Sequence, residues 1–259
     1  MKLPPSVRGA RAAFVFLTRL PFGGFPYSDE DYAWAPAHGP LVGLVVGGIG
    51  AVVFALAFGA GAPAASILGL AATILATGAF HEDGLADTSD ALGGAIFDRE
   101  RLLVILKDSR IGTYGAVAVA ITIGLRAALI TDIGTAASSG AAAFIISHML
   151  GRVAPTVLMT RMPYVTDKEH AKSRPIVRAG GAQALVAVTY GVAVVTASVW
   201  WLPDFGLGPL YAALAMIPAT ILCAWRFQRR AGGITGDFLG ATEQVNEMTV
   251  LLVLALMHP

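Results

Sequence analysis

From Leu41 to Phe80 the chain reads LVGLVVGGIGAVVFALAFGAGAPAASILGLAATILATGAF, forty residues without a charge. It continues at once as His81-Glu82-Asp83-Gly84-Leu85-Ala86-Asp87-Thr88-Ser89-Asp90, with four carboxylates in nine positions. The apolar run is about twice the ~17 to 25 residues that cross a hydrocarbon core, and Gly59-Ala60-Gly61-Ala62-Pro63 breaks it in the middle. It reads as a hairpin of two membrane spans. If the acidic run is helical from Asp83, then Asp83, Asp87 and Asp90 share one face within an arc of about 60°. Like charges so placed destabilise a helix, and the cost rises where hydrocarbon lowers the effective dielectric. A bound cation would remove that cost. Hard carboxylate oxygens without clustered Cys or His favour magnesium, or manganese, over zinc or copper. A plainer reading stands beside this one, in which Asp83 is an N-cap and the other acids form a solvated loop or favour a helix N-terminus.

Composition supports the membrane reading. Of 259 residues, 56% are hydrophobic and 14% charged, against about 25% charged in a soluble domain. Thirty glycines suit membrane helices whose backbones approach closely. The expected fold is all-α: a polytopic bundle of about seven transmembrane helices with amphipathic surface helices, residues 1–259 forming one membrane-embedded catalytic domain. Arg8, Arg11 and Arg19 interrupt any signal-peptide core, so the N-terminus stays on the mature protein, with Arg8 to Leu20 as a helix at the membrane surface. Cys223, alone, cannot make an intrachain disulfide and reads as a small buried hydrophobe.

Spans are expected at about 38–60, 64–80, 113–130, 139–158, 182–202, 209–225 and 245–257, the last being short and readable as re-entrant. Residues 21–38, including Asp29-Glu30-Asp31, read as a solvated connector, and 96–112 as a surface helix. Sixteen of eighteen Lys and Arg fall in the segments 1–38, 81–112, 159–182 and 226–243; the exceptions are Arg126 and Arg152. By the positive-inside rule those segments, and the N-terminus, face the cytoplasm of a bacterial inner membrane. One-sided charge argues for an enzyme acting on an anionic cytoplasmic substrate. A transporter would place polar groups near the midplane, and a structural subunit would not need clustered acids.

A second acidic cluster, Gly236-Asp237-x-x-Gly240-x-x-Glu243, could supply Asp237 and Glu243 to a metal site shared with Asp83 and Asp87, and Gly236 and Gly240 would let a phosphate approach the backbone. Taken alone, these glycines read more often as turn residues. Lys107, Arg110 and Arg174 are cations that could bind phosphate, while Lys168, Lys172 and Arg178 read as topology determinants. Arg152, beside His148 and inside the fourth span, is either functional or snorkels to the interface. Arg126 is expected to snorkel outward.

His81-x-Asp83-Gly84-x-Ala86-Asp87-x-x-Asp90, Lys107-Asp108-Ser109-Arg110-Ile111-Gly112-x-x-Gly115 and Gly236-Asp237-x-x-Gly240-Ala241, together with Phe16-Leu17-Thr18-Arg19-Leu20-Pro21 and Pro40-x-x-Gly43, resemble the adenosylcobinamide-GDP ribazoletransferase family, also called cobalamin-5'-phosphate synthase. The likeness covers nearly the whole chain in order. Ala91 departs from it, standing where a glycine is expected. The resemblance implies a magnesium-dependent transfer that joins adenosylcobinamide-GDP to alpha-ribazole or its 5'-phosphate, releasing GMP. It implies that Asp83, Asp87 and Asp237 bind metal, that Asp90 is a further ligand or the base, and that Lys107, Arg110 and Arg152 hold phosphate. Glu82 points about 100° away from that face. Expected partners are the two substrates and the lipid bilayer, with no nucleic acid, and a homo-oligomer stays open. CDP-alcohol phosphotransferases and aromatic-acceptor prenyltransferases are the enzyme alternatives. The chain has Asp87 where the first has an Arg after the Ala, and lacks the paired Asn/Asp-rich boxes of the second.

Overall fold

A computed structural model describes residues 3–96, 98–165 and 179–258. Among them the architecture is all-helical, apart from one isolated parallel bridge between Tyr164 and Ile234. In chain order the helices are α1 (Pro5–Leu17), α2 (Asp29–Trp34), α3 (Gly39–Ala57), α4 (Ala62–Thr77), α5 (Phe80–Gly94), α6 (Arg99–Ile105), α7 (Thr113–Ile133), α8 (Ala137–Gly151), α9 (Val153–Arg161), α10 (Gly181–Trp201), α11 (Gly208–Ala231) and α12 (Gly236–Met257). Among the described residues, five helical stretches are long and apolar enough to cross a membrane: Asp29–Ala60, Thr113–Ile133, Ala137–Arg161, Gly181–Trp201 and Gly208–Ala231. A sixth is added if α4 and α5 count as one broken span. Ile121, Val192 and Leu222 are among the large side chains turned outward, as a lipid-facing surface requires. The chain is a multi-pass membrane protein.

The hairpin expected from the charge-free run is α3 and α4. A side chain at Gly43 or Gly47 of α3 would collide with the α8 backbone at His148 or Phe144, so small residues bring these two helices together. At the end of α4 the chain turns. Gly78 and Ala79 both adopt left-handed backbone, with φ of 69° and 59°, and α5 leaves at 89° to α4. Glycine tolerates that conformation, whereas Ala79 is strained by it. The acidic run therefore does not continue the span. It forms a separate helix lying across the end of the bundle.

The last helix corrects the sequence reading. Val245 to Met257 had looked like a short apolar stretch, but α12 has 22 residues, about 33 Å at 1.5 Å per residue. Its polar first half is helical because it is buried: Thr242, Glu243, Gln244, Asn246 and Glu247 are all at most 1% exposed. It packs against α5, α7, α8, α9 and α11 and is the central post of the bundle.

Residues 21–38 also differ from expectation. They contain α2 and a 3-10 turn, Ala35–His38, rather than a solvated connector. Asp31 is fully buried, closes a capping box with Ser28, and pairs with Arg8 at 2.9 Å, which fastens α2 to α1.

Candidate active site

The two acidic motifs meet where α5 crosses α12. A Cβ placed on Gly84 would stand 3.0 Å from the carbonyl oxygen of Asp237 and 3.3 Å from Cα of Gly240; one on Gly240 would stand 3.5 Å from Cα of Gly84 and of His81. The backbones thus pass at a distance that only hydrogen side chains permit comfortably. The crossing brings Asp83 and Asp87, on consecutive turns of α5, to the first turn of α12, where Thr235 caps the helix by accepting from the Phe238 amide at 3.2 Å. Asp237 lies in that first turn, where the helix dipole favours a negative charge.

A cavity of about 300 Å³ opens beside the crossing. Its polar side carries Asp83, Asp237, His81, Arg152 and Glu243, with Gly236 and Gly240 in the wall. Its apolar side is made by α1, the turn before α3, and α9, through Phe16, Leu17, Pro36, Pro155 and Met159, together with Phe80. Five segments, α1, the turn before α3, α5, α9 and α12, converge here.

Asp87 reports the electrostatics. Its carboxyl is pushed up to about 7, first by burial and then by the charges of Asp83, Asp237, Asp90 and Asp108. A divalent cation is the group that relieves such crowding, and the oxygen-only donors suit magnesium. Asp83, Asp87 and Asp237 therefore fit the expected ion. Among the described residues no three His, Cys, Asp or Glu side chains yet converge as a ligand set.

Other expected site residues have different partners. Both oxygens of Asp90 accept backbone hydrogen bonds at the start of α7, from the Gly112 amide at 2.6 Å and the Gly115 amide at 2.8 Å. That is the work of a helix cap. Glu243 receives Nδ1 of His81 at 3.0 Å and Nη2 of Arg152 at 2.8 Å. Arg152 also donates through Nη1 to Glu247 at 2.9 Å and to the His148 carbonyl at 2.8 Å, so both its terminal nitrogens are engaged although it borders the cavity. Arg110 is exposed and forks onto Asp108, with Nη2 to Oδ2 at 2.7 Å, which holds the Asp108 carboxyl down at about 2. Neither Lys107 nor Arg110 lines the cavity. Arg174, with Lys168, Lys172 and Arg178, lies outside the described residues.

Arg126 overturns the expectation that it snorkels outward. It is 1% exposed, 2.6 Å from Glu247 Oε2 and 3.3 Å from Glu82 Oε1, and donates to Gln244 at 2.9 Å. Inward acceptors on α5 and α12 satisfy a guanidinium that lipid could not. Glu82, which points away from the acidic face, thus belongs to a buried ionic network of Glu82, Glu243, Glu247, Arg126 and Arg152 that ties α5, α7, α8 and α12 together. The sequence reading missed this network. Its one visible sign is the spacing of Glu243 and Glu247, four residues apart, which puts them on one face only if the helix begins before Val245, as α12 does.

A family model described as cobalamin-5-phosphate synthase matches residues 9–255. The chain belongs to the cobalamin-5-phosphate synthase family. Relatives named adenosylcobinamide-GDP ribazoletransferase include proteins from Leptothrix cholodnii, 37% identical with 95% of each chain covered, and Shewanella amazonensis, 38% identical with 95% of this chain and 94% of the relative covered. A Vibrio cholerae protein of the same name is 36% identical, with 93% of this chain and 91% of the relative covered. No solved structure matches the chain. Within the cobalamin-5-phosphate synthase family this fold places both acidic motifs at one crossing, separated by 153 residues of chain from Gly84 to Asp237.

Proposed function

We propose that this chain is an adenosylcobinamide-GDP ribazoletransferase, joining adenosylcobinamide-GDP to alpha-ribazole or alpha-ribazole 5'-phosphate with release of GMP. The observation that carries the reading is the glycine-to-glycine crossing of α5 and α12, which brings Asp83 and Asp237 into the wall of one cavity, with Asp87 one turn further along α5. In the reaction a ribose hydroxyl oxygen bonds to the phosphorus on the aminopropanol arm, the bond from that phosphorus to the GMP oxygen breaks, and the hydroxyl proton is released. Transfer of this kind depends on alignment and on neutralising charge more than on covalent help from the protein.

Asp83, Asp87 and Asp237 would hold magnesium, which supplies neutralisation of the diphosphate and polarisation of its oxygens. The cavity's apolar wall excludes water from the reacting groups. Arg152, fixed by Glu243 and Glu247, lends positive potential to the polar side without being free to follow a leaving group. Lys107 and Arg110 lie in the α6–α7 loop, where they would meet phosphate outside the cavity. The active end faces the cytoplasm of the inner membrane, the side to which the positive-inside rule assigns the basic segments.

The test is GMP release and cobamide formation by purified protein in lipid, with magnesium or with EDTA, for wild type and Asp83→Asn. Magnesium-dependent product that disappears in a folded Asp83→Asn protein is expected. Well-folded wild type without product would overturn the reading.

A further inference from the structure

We propose that the apolar half of the cavity, walled by Phe16 of α1 and Phe80 of α5, seats the base of the acceptor nucleoside and selects flat bases of low polarity. The inference rests on the proposed reaction. The two rings stand edge to face, centroids 5.2 Å apart at 73°, and Phe80 meets His81 in the same way at 5.2 Å and 88°. Phe80 is 40% exposed although it adjoins the buried core of the site, so an aromatic face is left uncovered at the cavity. Leu17, Pro36, Pro155 and Met159 continue the wall without a polar group. Thr156, the nearby hydroxyl, already donates to the Pro36 carbonyl at 2.7 Å.

Both substrates carry a flat base, and chemistry separates them. Guanine has donors and acceptors on several edges that would be stranded against this wall. A benzimidazole carries a single ring acceptor once joined to its ribose, and loses little by burial there. With the base against Phe16 and Phe80, the ribose points toward Asp83 and Asp237, where its hydroxyl is needed. A cavity of about 300 Å³ accommodates a nucleoside, while a corrinoid ring must stay at its mouth. The wall is held in place by Arg8 on Asp31 at 2.9 Å, and by Gly9, where any side chain would strike Trp34.

The test uses steady-state kinetics in lipid for wild type, Phe16→Leu and Phe80→Leu, which keep apolar bulk and remove the ring face. Each is given the benzimidazole alpha-nucleotide and the same nucleotide with adenine. The expected result is a rise of about tenfold in KM for the benzimidazole acceptor, the loss of one stacked face, with KM for adenosylcobinamide-GDP changed less than about twofold. KM for the adenine nucleotide should rise by a similar factor, because the lost ring face serves either base, while wild type should favour the benzimidazole nucleotide in kcat/KM, because the apolar wall strands the polar edge of adenine. Acceptor and donor KM values are read within one preparation, so a folding defect, which lowers the active fraction and leaves both values alone, cannot produce the change. An acceptor KM unaltered by either substitution, a rise in KM for adenosylcobinamide-GDP instead, or equal wild-type kcat/KM for the two acceptors overturns this seat while leaving the reaction standing. Wild type inactive with both acceptors overturns the reaction, and the seat with it.

Discussion

Asp87 is the residue at which function and stability oppose each other. Its carboxyl, pushed up to about 7, binds a proton more tightly in the folded protein than the ordinary carboxylate near pH 4 does in an unfolded chain. Stability from that proton is complete below about pH 4 and is lost as pH rises through about 7. Asp87→Asn suffers no such loss. The melting temperature of Asp87→Asn should therefore exceed that of wild type by a margin that grows from pH 5 to pH 8, and millimolar magnesium should narrow the margin by stabilising wild type alone. Parallel pH profiles would remove the crowding argument. For activity the sign reverses: at limiting magnesium, turnover falls as pH drops through about 7, because the proton and the cation compete for one group. Asp90 behaves differently. Asp90→Asn keeps one acceptor for the α7 amides and should lose about 1 kcal/mol of stability, Asp90→Ala about 2 kcal/mol. Both should keep measurable magnesium-dependent turnover, and a magnesium response lost as in Asp83→Asn would return Asp90 to the metal set. At this scale the sequence pattern put three aspartates on one helix face. It could not tell a metal ligand from a cap, since Gly112 and Gly115 are distant in sequence and their amides leave no mark in a string of letters.

At the scale of elements, the decisive contact is backbone against backbone. Gly84→Ala would press a methyl group on the carbonyl of Asp237, and neither helix has a flexible side chain there to give way. Overpacking of this kind costs about 1 to 3 kcal/mol. Because the shift separates the aspartates, activity should fall about 100-fold, far more than the small drop in melting temperature suggests. Near-normal turnover in Gly84→Ala would show that the crossing is looser than described. Most spans were legible from length and apolarity alone, and their ends fall within a few residues of those expected. Two elements were not. The first half of α12 and the whole of α2 are rich in polar side chains, and hydropathy reads a buried Glu243 or Asp31 as it reads a solvated one. Only the partners, Arg152 and Arg8, distinguish them.

Across the whole molecule, sixteen of the eighteen Lys and Arg lie in four segments, and the other two, Arg126 and Arg152, are buried against carboxylates. With residue 223 changed to serine, a single cysteine at position 107 should be labelled from the same membrane face as one at position 3, and a cysteine at position 61 from the other. Labelling of 61 and 107 from one face would overturn the orientation. The network around Arg126 sets a second test. Arg126→Met leaves Glu82 buried without its cation and Glu247 with Arg152 alone, and should cost about 3 to 5 kcal/mol, whereas adding Glu82→Gln should recover part of that loss. Additive losses in the double variant would mean that the two side chains do not act on each other.

That network also has an order of arrival. Arg126 meets Glu82 as soon as α7 enters the bilayer, because α5 is already made. Arg152 has no such early partner: both carboxylates that receive it, Glu243 and Glu247, belong to α12, which is made after α10 and α11. Through the synthesis of α10 and α11 the growing chain holds that cation without either carboxylate, and the same helix α12 brings Asp237 to its crossing with α5. The docking of α12 therefore balances that cation and brings the two acidic motifs together in one event. A chain that stops short of residue 237 can do neither.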